Sequence, residues 1–119
     1  MTGIKENTED EKDREDNTPG TRESSWKRVT TRDMFCRLFA DRELSQGSLR
    51  FTIHSDGMMT GTVDGLVLSG NWTWEGGYFC RRAHLAEEDL GTDCEIIESD
   101  GHRMRYFPSK GEGKARIVS

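Results

Sequence analysis

Apolar residues recur along this chain with two different periods. In Val29-Thr-Thr-Arg-Asp-Met-Phe-Cys-Arg-Leu-Phe39, the side chains of Met34, Phe35, Leu38 and Phe39 fall on one face at 100° per residue. The spacing predicts a helix over 31–41. Thr30 is its expected N-cap, with Asp33 as acidic capping partner and Val29 and Met34 as a hydrophobic staple. Cys36 lies off the apolar face. From Glu43 onward the period becomes two: Leu49, Phe51 and Ile53 alternate with Arg50, Thr52 and His54. Asp56-Gly57, Asp64-Gly65, Gly76-Gly77 and Asp100-Gly101 punctuate the rest of the chain, and such pairs mark tight hairpins because both positions accept positive φ. The predicted strands are 48–54, 58–63, 66–74, 78–84, 92–98, 102–107 and 114–118, with a short additional piece at 42–45.

The fold class is therefore mainly β: an antiparallel meander of seven or eight strands, curved or closed into a small barrel, with one N-terminal helix. Leu66, Leu68, Gly70, Trp72 and Trp74 share a face, and across the Asp64-Gly65 turn Val63 is expected opposite Leu66 and Gly61 opposite Leu68. Gly61 and Gly70 leave room for large rings and relieve coiling strain in a closing sheet. Packing in the core is the simplest role for the tryptophans, and lining a ligand pocket is the alternative.

Charge divides the chain in two. Residues 1–25 hold eight acids and four bases, −4 of the total −5, with Met1 and Ile4 as the only large apolar side chains. Such a segment buries too little surface to offset the entropy of ordering, so a disordered acidic tail is expected at 1–25 and a small β-barrel-like domain at 26–119. The tail reads as a solubilising leader rather than a docking segment for a basic partner. The near-neutral domain offers no field for a nucleic-acid backbone. No segment approaches the ~20 apolar residues of a membrane span.

Cys80 and Cys94 lie symmetrically about position 87, so a regular hairpin places them opposite each other, about 4.5–5.5 Å apart at Cα. That suits a disulfide, which is preferred to two buried free thiols. Cys36 is left free or open to an intermolecular bridge. An oxidised pair belongs in an oxidising compartment such as the periplasm, whereas the acidic N-terminus shows no signal-peptide pattern and suggests the cytoplasm. Zinc is rejected: Cys80 and His84, four apart on one strand, are separated by about 13 Å.

Catalytic chemistry is sparse. His54, His84 and His102 sit near no candidate nucleophile, and Asp56, Asp64 and Asp100 belong to turns. Asp93 is expected to pair with Arg81 or Arg82 across the hairpin. Gly111-Glu-Gly113-Lys114 lacks the spacing of a phosphate loop and the third glycine of a dinucleotide fingerprint. Arg81, Arg82, Arg103 and Arg105 with Tyr78 and Tyr106 form a basic-aromatic cluster of the kind that binds single-stranded nucleic acid, but the charge balance disfavours it. Asn71-Trp-Thr73 matches a glycosylation sequon in mid-strand, a chance match. No enzyme activity and no cofactor are expected.

The blocks Gly70-Asn-Trp-Thr-Trp-Glu-Gly-Gly-Tyr-Phe-Cys-Arg81, Leu90-Gly-Thr-Asp-Cys94 and Arg105-Tyr-Phe-Pro-Ser-Lys-Gly-Glu-Gly113 resemble a group of small bacterial β-proteins, over residues 28–118. Some of those relatives carry the label dihydrodipicolinate reductase. That enzyme needs a dinucleotide-binding βαβ unit and a longer chain, so the resemblance implies no activity and no catalytic residues. It does imply export, against the missing signal pattern. The expected architecture is lipocalin-like in style but smaller. The expected function is a non-enzymatic domain binding a small, partly apolar ligand through Trp72, Trp74, Phe51, Leu68 and Tyr106, with Arg81 fixing an anionic end. The alternative is an accessory protein–protein interaction module without a small-molecule ligand.

Overall fold

A computed structural model of the protein describes residues 25–119. The predicted acidic tail, apart from Ser25, lies outside the described residues. A two-residue strand β1 (Lys27–Arg28) leads into helix α1 (Arg32–Phe39). Then come β2 (Glu43–Gln46), β3 (Leu49–Ile53), β4 (Met58–Val63), β5 (Leu66–Glu75), β6 (Tyr78–Leu85), β7 (Glu88–Ser99), β8 (Met104–Phe107) and β9 (Arg116–Val118), with a 3₁₀ turn at Ser109–Gly111 before the last. Strands β2 to β9 pair antiparallel in chain order. The two ends of that meander meet where the Ser45 amide donates to the Ser119 carbonyl (2.7 Å) and the Ser119 amide to the Ser45 carbonyl (3.1 Å). The sheet is thus a nearly closed barrel, which removes most of the exposed edge.

The turns do what their residues allow. Asp64 and Gly65, at φ 52° and 80°, and Gly76 and Gly77, at 60° and 88°, make two-residue connections whose positive φ values match the strand twist. Val63 faces Leu66 and Gly61 faces Leu68, as the pattern predicts. A side chain at Gly61 or Gly70 has no space. A Cβ at Gly61 would lie 2.1 Å from the Arg50 carbonyl oxygen, and one at Gly70 would lie 2.2 Å from that of Arg82. The two glycines let neighbouring strands press together inside the barrel, the coiling role rather than mere room for rings.

The helix begins one residue later than predicted. Thr31, not Thr30, is the N-cap, its Oγ1 accepting from the Met34 amide at 3.1 Å. Phe35 therefore occupies the fourth helical position and is fully buried with Phe39, while Met34 and Leu38 are half-buried. An eight-residue helix is marginal alone, so packing holds it. The Phe35 ring centroid lies 5.3 Å from Trp72, 5.2 Å from Trp74 and 5.2 Å from Phe79. Thus α1 seals one end of the barrel. The unpredicted β1 reinforces this end by pairing with the last two residues of β7.

Cys80 and Cys94 face each other in register and are bonded, with Cα atoms 4.0 Å apart. The symmetry about 87 holds for a reason other than a loop centred there. The turn is Ala86-Glu87, β7 starts at Glu88, and a bulge between Ala83 and His84 restores the register. Phe79, Arg81 and Ala83 alternate with Cys80 and point inward, so the disulfide lies on the outer wall. Cys36 is free and half-buried.

Two measurements probe these contacts. Gly70→Ala forces backbone apart and lowers stability by about 2–3 kcal/mol in urea denaturation; an unchanged midpoint contradicts the close approach. Reduction of Cys80–Cys94 reopens a fifteen-residue loop and costs roughly 3 kcal/mol. Melting that is indifferent to reductant contradicts the bond.

Candidate functional site

Above the helix-sealed floor the barrel holds a cavity of about 550 Å³. Period-two alternation decides what lines it, since residues opposite each other in the ladder share a face. Leu49, Phe51, Val63 and Leu68 from β3, β4 and β5 make one apolar wall. Ile53, Met59, Phe79, Ile97 and Met104 surround the floor. Gln46, Ser48, Leu90, Pro108 and Arg116 come from the far ends of their strands and connections and form the mouth.

The remaining wall, from β6, β7 and β8, carries polar groups beside Ala83. Arg81, Glu95 and Tyr106 all line the cavity. Glu95 is 5% exposed, and its Oε2 lies 3.7 Å from Arg81 Nε. The guanidinium also donates from Nη1 to the Gly91 carbonyl at 3.3 Å. Burial pushes the Glu95 carboxyl up to about 7, with Asp93 pushing the same way and Arg81 opposing. Burial also pushes the Tyr106 hydroxyl up, with Glu95 adding to the shift and Arg116 and Arg81 opposing it. These groups therefore share one field inside the barrel. An arginine and a buried carboxyl at 3.7 Å, outside hydrogen-bond distance, form a loose pair with capacity for another partner.

Four of the six predicted binding residues, Phe51, Leu68, Tyr106 and Arg81, line the cavity; Trp72 and Trp74 do not. Both tryptophans belong to the floor's seal under α1. Trp72 lies opposite Arg81 in register, but its ring stacks 5.6 Å from Phe79 and its Nε1 donates to the His54 carbonyl at 2.9 Å. Trp74 Nε1 donates to the Thr30 carbonyl at 3.2 Å. Arg32 covers the outside of Trp72, 5.0 Å from the ring centroid.

The expected pairing of Asp93 with Arg81 or Arg82 does not form. Asp93 lies opposite Arg81, yet its carboxylate accepts from the Ser109 amide at 3.0 and 3.2 Å and pins the β8–β9 connection. Arg81 turns to Glu95, and Arg82 bonds Asp89 at 2.8 Å. The basic-aromatic cluster is also divided. Arg81 and Tyr106 point inward, while Arg105 bonds Glu98 and, like Arg103, lies over Trp26. Glu95, Arg116 and Gln46 went unmarked in the sequence. Glu95 shares strand parity with the apolar Ile97, and that was the available signal.

Among the described residues no group of three or more His, Cys, Asp or Glu side chains is placed to hold a metal ion, and no helix is long and apolar enough to cross a membrane. Comparison of the chain with family models, curated proteins and solved structures finds no match in any of the three.

The raised Glu95 carboxyl gives a signed pH dependence. The fold favours the protonated form, so its contribution is complete below the ordinary value of 4.5 and is lost as pH rises through about 7. Stability should fall by up to about 3 kcal/mol from this group between pH 4.5 and 8. Glu95→Gln should flatten that slope and be the more stable protein at pH 8. Parallel pH profiles for the two proteins contradict the assignment.

Proposed function

We propose that this protein is a non-enzymatic binding module that takes a small, partly apolar ligand into its barrel. The observation that carries this reading is a cavity of about 550 Å³ with an apolar wall on β3–β5 and the polar groups of Arg81, Glu95 and Tyr106 on β6–β8. Its size is that of small-ligand pockets, which combine a largely apolar lining with a few placed polar groups. A domain that only needed to fold would fill this space, because an empty interior forfeits packing on every surrounding side chain. Phe51, Leu68, Tyr106 and Arg81 are the binding residues in this reading. Trp72 and Trp74 serve it indirectly by keeping the floor shut. The alternative, an interaction module, has weaker support: Leu66 and Val67 are exposed at 50% and 63%, but as neighbours on β5 they point to opposite faces of the sheet.

The neutral fluorophore N-phenyl-1-naphthylamine tests the reading. It should bind at one site per chain with enhanced emission, and Leu68→Trp, which fills the cavity from its apolar wall, should weaken binding at least about tenfold. Binding untouched by Leu68→Trp places the dye outside the barrel and counts against the proposal.

A further inference from the structure

We propose that the cavity's ligand is an amphiphile bearing a single carboxylate, whose head group lodges against Arg81 and the Glu95 carboxyl while its apolar body lies on Phe51 and Leu68. This deepens the binding reading above and rests on it. The lining carries two cations, Arg81 and Arg116, against one carboxyl, Glu95. Asp93, which would balance them, is turned to the Ser109 amide. An amine would meet both arginines before Glu95, so the interior selects against cations and toward an anion.

The donors suit a carboxylate in particular. Arg81 has five N–H groups in a planar fork that matches two carboxylate oxygens. Its Nη1 donates to Gly91, and its Nε stands 3.7 Å from Glu95, short of a hydrogen bond. A ligand carboxylate would give the fork the close acceptor it lacks. Protonated Glu95 would then donate its O–H to the same head group. Tyr106, opposite Ile97 on β8 and one interior step from Glu95, brings a hydroxyl that burial keeps protonated.

This arrangement makes binding proton-linked. The charged groups acting on Glu95 are Arg81 on β6 and Asp93 on its own strand; Tyr106 on β8 feels Glu95 in turn, and Arg116 on β9 shares the same lining, while the neighbours Phe79 and Ile97 bring no charge. An ionised Glu95 competes with the ligand for Arg81 and repels its head group. A protonated Glu95 does neither. Its carboxyl, pushed by burial to about 7, changes state within the ordinary pH range.

The test displaces N-phenyl-1-naphthylamine from the full-length protein with decanoate and with 1-decanol, at pH 6 and pH 8. Decanoate should bind at least about tenfold tighter than decanol at pH 6. Its affinity should fall about tenfold by pH 8, as a single linked proton allows. Decanol should show no such slope. Glu95→Gln should hold decanoate at pH 8 as the unaltered protein does at pH 6, and Arg81→Gln should erase the preference for decanoate. The comparison of head groups on the unaltered protein needs no variant to fold. Equal affinities for the two probes overturn the carboxylate assignment and leave a purely apolar binding site standing. Displacement by neither probe, with no dye bound, overturns the binding reading itself.

Discussion

The contact of Phe35 with Trp72, Trp74 and Phe79 joins the helix to the sheet, and most of the architecture depends on it. Strands β2, β3, β8 and β9 are only three to five residues long, and a small barrel open at both ends has no interior that excludes water. One aromatic side chain from α1, seated on rings from β5 and β6, closes one end. The polar atoms of that seal are satisfied locally. The two indole N–H groups donate to the His54 and Thr30 carbonyls, so the tryptophans bury without orphaned donors. The floor thereby uses Trp72 and Trp74, and the space above it is bounded by Phe51, aliphatic side chains and the groups of Arg81, Glu95 and Tyr106.

Those polar groups run against what stability alone would select. A carboxyl held 5% exposed beside an arginine at 3.7 Å is largely withdrawn from solvent without a close ion pair to compensate it. Apolar residues at both 81 and 95 would pack in this interior at no electrostatic cost. A local conflict of this kind, in an interior that otherwise obeys the period-two rule, is where function is expected to leave its mark. The disulfide, by contrast, is on the outer wall of the same β6–β7 hairpin. It holds together the two strands that carry Arg81 and Glu95 without entering the cavity.

Much of the fold was legible in the chain. The Asp-Gly and Gly-Gly pairs located the turns, and alternation located the strands to within a few residues; β4 matches its predicted bounds. The register Val63–Leu66 could be read from turn position alone, whereas Cys80–Cys94 also requires the bulge between Ala83 and His84. What was not legible depended on contacts distant in sequence. Two residues of β1 carry no pattern and exist because β7 offers them an edge. Thr30 and Thr31 are chemically alike, and the choice between them is made by where Phe35 must point. The tryptophans share a face with Leu68, but which end of the barrel the helix closes decides that they seal rather than line. Asp93 and Glu95 share parity too. Only the β8–β9 connection, by presenting the Ser109 amide, determines which of them is left for Arg81.

Everything functional here depends on the barrel interior being an accessible, largely apolar space above a sealed floor. Diffraction from crystals pressurised with xenon measures this without assuming any ligand. Xenon density should appear bounded by Phe51, Met59, Leu68 and Ile97, with none between Phe35 and the two tryptophans. A barrel whose interior takes up no xenon, with the Phe51 and Leu68 side chains collapsed across it, would contradict that picture.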